Sequence, residues 1–342
     1  MTRRLVVDLQ SPRAAWRVPP QSVTTIRDAL GQGWEVVNVA APAASDGDGG
    51  SGSDESVRAA RGAEIYLGFG VPRGVLEAGR GTLRWVHSGT AGVGSSLAHL
   101  RGTAVVLTNS AGIHAEPMAD WVLSAITYFA RGLDYQLAAQ RRAHWAKGEF
   151  ADLAVPLMEL RDVRVGLLGL GGVGRAVAAR CAALGMRVAA VRRRPELGGA
   201  PEVAWVGGLA DLPRLASESN CLVVAAPETG ATAGAVTRTV LERLPAGAVV
   251  VNVSRGGLVD EDALLDLLQR GRLRGAALDV FAAEPLAPGH PFWAHPRVLV
   301  SPHVSAVSTR FWERETGLIL DNIRRYLAGA ELRNVVDLEA GY

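Results

Sequence analysis

Residues 162–194, DVRVGLLGLGGVGRAVAARCAALGMRVAAVRRR, restrict the fold more than any other stretch of the chain. Val163, Val165, Leu167 and Leu168 make an apolar run of buried-strand length, and Gly169, Gly171 and Gly174 follow in G-x-G-x-x-G spacing. Residues 175–184 predict an alanine-rich helix stopped by Gly185, and residues 188–191 predict a second strand. The result is a βαβ unit with its glycines at the strand-to-helix turn, as dinucleotide binding requires. The first glycine permits a tight turn, the second admits a pyrophosphate to the backbone, and the third lets helix pack on strand. Gly172 and Val173 complete the turn, and their N–H groups open the helix where its dipole is positive.

Glycine is abundant enough to imitate this signal. With 40 glycines in 342 residues, chance supplies on the order of half such a match per chain. Gly47, Gly49 and Gly52 are one. They lie in SDGDGGSGSDES, with no strand expected before them and no helix after, so that stretch reads as a flexible loop.

The chain length suggests two domains with room for large cores. A net charge of +2 leaves no electrostatic footprint for nucleic acid or an anionic membrane. Cys181 and Cys221 fit neither disulfide nor metal-ligand spacing, which points to a reducing cytoplasm and no bound metal. No apolar run approaches the roughly 18 residues of a membrane span, and MTRRLVVDLQ turns polar too soon for a signal peptide.

In the first part of the chain, strands are predicted at 5–9, 35–39, 65–69, 84–87 and 104–107, with helices at 24–30, 72–78 and 96–100. Short apolar strands separated by helices imply a parallel sheet covered on both faces. SGTAGVGS, from Ser88 to Ser95, stands just past one strand's carboxyl end and offers backbone N–H groups to an anion; a plain connector is the alternative. Residues 116–142 predict one long helix with Pro117 in its first turn. Its Met118, Trp121, Val122, Ala125, Ile126 and Phe129 cover too wide an arc for one stripe, so burial between domains or subunits is expected.

Further strands are predicted at 221–225, 248–253, 275–280 and 298–300, with helices at 240–244 and 261–269. Arg255, Asp279, Glu284 and His303 all fall at or just beyond strand carboxyl ends, the edge where an open α/β sheet holds its ligand. Residues 309–327 form an amphipathic helix expected to return to the first domain.

These motifs, in this order, resemble the D-isomer-specific 2-hydroxyacid dehydrogenases over about residues 1–338. The matching segments are GLLGLGGVGR (166–175), VVNVSRGGLVDEDALLDLLQRGRLRGAALDVFAAEPL (250–286) and VLVSPHVSA (298–306). WVHSGTAGVGSSL (85–97) and NSAGIHAEPMADWVL (109–123) add support. The resemblance implies an α/β protein with two doubly wound parallel-sheet domains. A flavodoxin-like substrate domain would span 1–112 plus 309–342, and an inserted Rossmann dinucleotide-binding domain would span 113–308. The family's active-site arginine, glutamate and histidine fall on Arg255, Glu284 and His303, and its nicotinamide-holding aspartate on Asp279. Pro227, Thr232 and Val253 fall on cofactor-lining segments, and Ala91 and Gly92 on the backbone loop for the substrate carboxylate. Gly94 stands where the family usually has aspartate, a departure that bears on the start of the local helix. A homodimer built around the 116–142 helix is also implied, as the helix's broad apolar arc suggests.

Interconverting a 2-hydroxy acid and a 2-oxo acid requires an acid/base for the oxygen, a hydride carrier and a cation for the carboxylate. His303 suits the acid/base role because imidazole titrates near neutral pH, and the carboxylate of Glu284 suits a partner that fixes its tautomer. Arg255 can fork to the substrate carboxylate and polarise the C2 oxygen. His114 either faces the site or caps the long helix; Trp293 and Trp312 either line the pocket or simply pack. Glu284 argues against formate, since the related formate dehydrogenases pair their histidine with glutamine. The few residues after the last expected helix lead us to expect no regulatory domain of the kind that many phosphoglycerate dehydrogenases carry. Glyoxylate or hydroxypyruvate is the expected substrate, with a bulkier 2-oxo acid as rival. A phosphoglycerate dehydrogenase lacking that domain, and a dinucleotide-sensing co-repressor or scaffold, stand as alternatives.

The cofactor expectation comes from a departure. NAD-selective enzymes place Asp or Glu at the end of the second strand to hold the ribose hydroxyls. Here Arg192, Arg193 and Arg194 stand there, with no carboxylate until Glu196. Three guanidinium groups suit a 2′-phosphate, so NADP(H) is favoured and NAD(H) remains possible.

Overall fold

The computed structural model describes residues 2–43, 50–339 and 341. The chain divides into two compact units, Met1–His114 with Val307–Tyr342, and Ala115–Ala306.

In the first unit β1 (Arg3–Asp8), β2 (Trp34–Asn38), β3 (Ile65–Gly68), β4 (Trp85–Ser88) and β5 (Val106–Asn109) pair in the order β2-β1-β3-β4-β5. Every pair is parallel, with Leu5 facing both Val36 and Ile65. This is the flavodoxin-like doubly wound order. Alternate residues supply opposite faces: Val6, Tyr66, Val86 and Leu107 join one apolar cluster, and Leu5, Val7, Ile65, Leu67 and Trp85 the other. The connecting helices are α1 (Pro20–Leu30), α2 (Asp54–Ala60), α3 (Arg73–Ala78) and α4 (Gly94–Leu100). α2 corrects the expectation that no helix follows the second glycine cluster. Ser53 caps it by accepting from the Ser56 amide at 3.0 Å, and Asp54 and Glu55 occupy its first turn. Gly52 immediately precedes that cap, whereas Gly47 and Gly49 lie outside the described residues. Where Gly94 replaces aspartate, α4 starts without a side-chain cap.

The second unit opens with α5 (Ala115–Ala130), α6 (Leu133–Arg141) and α7 (Lys147–Ala151). The expected single helix over 116–142 is therefore two. Gly132, with φ 65°, takes the left-handed conformation that ends one helix and admits the next. Strands β6 (Arg164–Leu168), β7 (Arg187–Val191), β8 (Val203–Gly207), β9 (Cys221–Val224), β10 (Ala248–Asn252), β11 (Leu273–Leu278) and β12 (Val298–Val300) follow. They form a parallel sheet in the order β12-β11-β10-β9-β6-β7-β8, so the winding reverses between β6 and β9. α8 (Gly172–Ala183) and α5 cover one face, over Val165, Leu167, Val223 and Val251. α9 (Leu212–Glu218), α10 (Arg238–Arg243) and α11 (Glu261–Gln269) cover the other, over Leu222, Val224 and Val250. β8 and α9 escape the sequence reading because β8 is a half-exposed edge strand without a clean apolar run. The wide apolar arc of α5 is likewise resolved: Val122, Ala125, Ile126 and Phe129 are buried within this unit, with Met118 and Trp121 packed against the same cluster.

The chain then re-enters the first unit as α12 (Phe311–Leu327), which packs beside α1. Ile319 and Ile323 are fully buried with Leu5, Val7 and Trp85. Glu315, also fully buried, accepts from Ser110 Oγ at 2.9 Å and pairs with His87 Nε2 at 2.9 Å. Among the described residues no helix is long and apolar enough to cross a membrane.

Candidate active site

Two of the three motif glycines between β6 and α8, Gly169 and Gly174, have no room for a side chain. Gly169 has φ +106°, and an added Cβ would lie 2.7 Å from Ala226 N. At Gly174 the added Cβ would lie 2.2 Å from Gly169 O. Gly171 differs, with open space around its Cβ position, so its missing side chain leaves a vacancy on the outer surface of the turn. The first amides of α8, those of Gly172, Val173 and Gly174, point along a helix start that lacks a side-chain cap. A cradle that a Cβ would fill, backed by uncapped amides, fits a dinucleotide pyrophosphate.

At the end of β7, Arg192 is half-buried and donates from Nη1 to Gly198 O at 3.1 Å. Arg175, in the first turn of α8, donates to the next carbonyl, Gly199 O, at 3.3 Å. Arg193 and Arg194 are exposed beside them. Beyond β9, Thr232 Oγ1 donates to Pro227 O at 2.6 Å and accepts from Thr229 N at 2.9 Å, which closes that loop. Val253 is buried just past β10, and Ser254 Oγ donates to Ala226 O.

Arg255 follows on the same turn, exposed, with Nη1 donating to Ser254 O at 2.7 Å. It makes no hydrogen bond to Glu284 or His303 among the described residues. Those two meet directly: Glu284 Oε2 lies 2.8 Å from His303 Nδ1, and its Oε1 accepts from Phe281 N at 2.9 Å. His303 is held in the left-handed region, φ 56°, which a non-glycine residue occupies only when its surroundings fix it. The fixing group is Asp279. Its carbonyl accepts from His303 N at 2.8 Å, while its fully buried carboxylate takes Ser301 Oγ at 2.5 Å and the amides of Val304 and Ser305 at 2.9 Å each.

In the first unit the loop after β4 is tied down by its carbonyls. Asn109 Nδ2 donates to Ala91 O at 2.8 Å, Thr90 Oγ1 to Gly92 O at 2.7 Å, and Ser110 N to Thr90 O at 3.1 Å. The amides of Ala91 and Gly92 have no acceptor among the described residues, so the loop presents N–H groups with its carbonyls already engaged. His114 stacks on Phe311 with ring centroids 5.4 Å apart and meets Trp16 edge-on at 5.7 Å. Trp312 is edge-on to Phe311. Trp293 is half-exposed and donates to Ala287 O at 3.0 Å. The described residues contain no group of three His, Cys, Asp or Glu side chains able to hold a metal.

Sequence reasoning did not single out Arg175, which approaches the end of β7 through its contact with Gly199 O. No local pattern marks that contact, which joins residues 24 apart in the sequence.

The family described as D-isomer specific 2-hydroxyacid dehydrogenase, NAD binding domain, matches residues 123–305. Glyoxylate/hydroxypyruvate reductase A of Yersinia enterocolitica is 32% identical over 260 residues, covering 75% of each chain. A D-isomer specific 2-hydroxyacid dehydrogenase of Xanthobacter autotrophicus Py2, solved with NADPH and MES, superposes with a TM-score of 0.80 at 31% identity over 100% of both chains. An NADPH-dependent glyoxylate/hydroxypyruvate reductase of Sinorhizobium meliloti, solved with NADP and sulfate, gives 0.76 at 26% identity, covering 99% of this chain and 100% of that one.

Proposed function

Because the chain belongs to the D-isomer-specific 2-hydroxyacid dehydrogenases, we propose that it reduces a small 2-oxo acid of the glyoxylate or hydroxypyruvate class, with NADPH preferred over NADH. The observation that carries this reading is the Glu284–His303 contact of 2.8 Å at the carboxyl edge of the nucleotide-binding sheet. A dinucleotide held by its pyrophosphate at the glycine turn would supply the hydride from its nicotinamide. Glu284 engages Nδ1 of His303 and leaves Nε2 to protonate the C2 oxygen in reduction, or to take that proton back in oxidation. Arg255 is assigned to the substrate carboxylate and to polarising the C2 oxygen. Initial rates across a panel of 2-oxo acids, with each reduced cofactor, test the substrate class. Glyoxylate and hydroxypyruvate are expected to give the highest kcat/KM, and a bulkier 2-oxo acid at the top would overturn that choice.

The cofactor preference rests on Arg192, Arg193 and Arg194 in place of a carboxylate, and is supported by the NADPH of the Xanthobacter relative. A 2′-phosphate dianion accepts charge-assisted hydrogen bonds from guanidinium groups that a ribose hydroxyl cannot match. At fixed ionic strength the ratio of kcat/KM for NADPH to that for NADH is expected to exceed about ten, a difference near 1.4 kcal/mol. Arg192→Asp is expected to bring the ratio to about one or below. A wild-type ratio below one refutes the preference.

A homodimer is proposed on the surface of α6 and α7 and the residues that follow. Leu133, Leu137, Trp145 and Leu153 are exposed there, Trp145 at 87% and Leu153 at 75%, an apolar group that water does not favour leaving uncovered. Sedimentation at micromolar concentration is expected to give a dimer, which Trp145→Asp weakens; a wild-type monomer would exclude it.

A further inference from the structure

Glu284 sits on a loop after β11, and the contact with His303 is only as good as the placement of that loop. Three features hold it. Gly256 lets the backbone after Arg255 press on the loop: an added Cβ would lie 1.9 Å from Phe281 C and 2.1 Å from Ala282 N. Glu284 itself accepts from the Phe281 amide, a contact internal to the loop. The third contact comes from another element. Glu261, the first residue of α11, accepts the Ala282 amide on Oε1 at 2.8 Å. Among the described residues it is the only side chain from outside residues 281–284 that hydrogen-bonds to their backbone.

Nothing in α11 requires a carboxylate to lean out in this way. Asp260 already caps the helix by accepting from Ala263 N at 2.9 Å, and Asp262 also places negative charge in the first turn. Glu261 is half-buried beside Asp262 and Glu284. Burial raises its pKa first, the Ala282 amide and the neighbouring His290 oppose that rise, and the two carboxylates add to it. An acid kept there against desolvation and like charge has a task other than solvation.

We propose that Glu261 is a positioning residue for the reaction: by holding the Ala282 amide it sets the Glu284 carboxylate against Nδ1 of His303, touching neither substrate nor cofactor. The inference rests on the reading of Glu284 and His303 as the acid/base pair.

The test compares Glu261→Ala, Glu261→Leu and Glu261→Gln in the full-length protein, with Glu284→Ala as reference. Leucine keeps bulk over the loop and removes the acceptor, whereas glutamine keeps a carbonyl oxygen for Ala282. Alanine and leucine are expected to lower kcat by about tenfold to a hundredfold, the scale of a misplaced catalytic group. Their pH profiles of kcat/KM are expected to match that of Glu284→Ala rather than that of the wild type, because in each the contact between His303 and Glu284 is lost. Dissociation constants for NADPH, read from fluorescence quenching, are expected to stay at the wild-type value. Glutamine is expected to restore both kcat and the pH profile. Wild-type kcat and pH profile in both acceptor-free variants, or a fall in Tm alone, would overturn the role of Glu261 while leaving the pair intact. An unchanged kcat and pH profile in Glu284→Ala would instead remove the acid/base reading on which the proposal stands.

Discussion

Replacing His303 by alanine is expected to lower kcat for 2-oxo acid reduction by about two to four orders of magnitude, the usual worth of a positioned general acid. At three orders the loss is about 4 kcal/mol of transition-state stabilisation. The binding of NADPH is expected to change little, because the His303 side chain makes none of the assigned cofactor contacts. The left-handed backbone of His303 complicates a single substitution. Alanine at φ 56° carries a backbone penalty that could loosen the loop as well as remove the ring. Asparagine tolerates that region, so His303→Asn separates the two effects. If both variants lose activity alike while only alanine lowers Tm, the imidazole is the source of the rate. Arg255→Ala is expected to raise KM as well as lower kcat, since a carboxylate contact made in the ground state is lost. Near-wild-type turnover in His303→Asn would sink the mechanism.

The second large effect concerns the glycine turn. Gly174→Ala places a methyl group 2.2 Å from Gly169 O, and Gly169 is itself pressed against Ala226, so the overlap has no soft side chain to yield. Backbone must shift, with a destabilisation of about 1–3 kcal/mol typical of overpacking. The displaced amides are expected to weaken NADPH binding by about two orders of magnitude, or roughly 2.7 kcal/mol. Gly171→Ala is the informative contrast. Its Cβ meets nothing within 4 Å and its φ of −89° suits any residue, so the free protein is expected to keep its Tm. Only the approach of the pyrophosphate is obstructed. Thermal melts with and without NADPH check both: Gly174→Ala lowers the ligand-free Tm and loses the ligand shift, whereas Gly171→Ala loses the shift alone. A full NADPH-induced shift in Gly174→Ala would place the pyrophosphate elsewhere.

Much of the architecture was legible because it is written locally. The run from Val163 to Leu168, the glycine spacing and the helix behind it require one another, and β6, α8 and β7 lie where they were expected. Local signals also explain what was lost. Ser53 and the two acids after it mark α2, but seven residues carry too little apolar periodicity to be noticed inside a glycine-rich stretch. Gly132 looked like one more small residue in a helix until its left-handed backbone divided α5 from α6. At the candidate site, Glu284 and His303 were singled out by motif, and the structure brings them into contact. No periodicity reveals that Asp279 fixes the His303 backbone, or that Gly256 admits the loop which Glu261 holds. Those relations join residues far apart in sequence and exist only once strands β10, β11 and β12 are side by side.

The return of α12 to the first unit also sets an order in time. During synthesis, β1, β3 and β4 emerge early, and their shared apolar face needs Ile319 and Ile323 to be complete. All of Ala115–Ala306 is made in the interval, and that unit contains every strand of its own sheet. The unit begun first is thus the last to be finished. Until α12 arrives, His87 lacks Glu315, and Leu5, Val7 and Trp85 lack part of their cover. Exposed apolar surface at that stage is what chaperones bind and what aggregates. The nascent chain is exposed through the first unit while the second is being made, and the arrival of α12 ends that exposure.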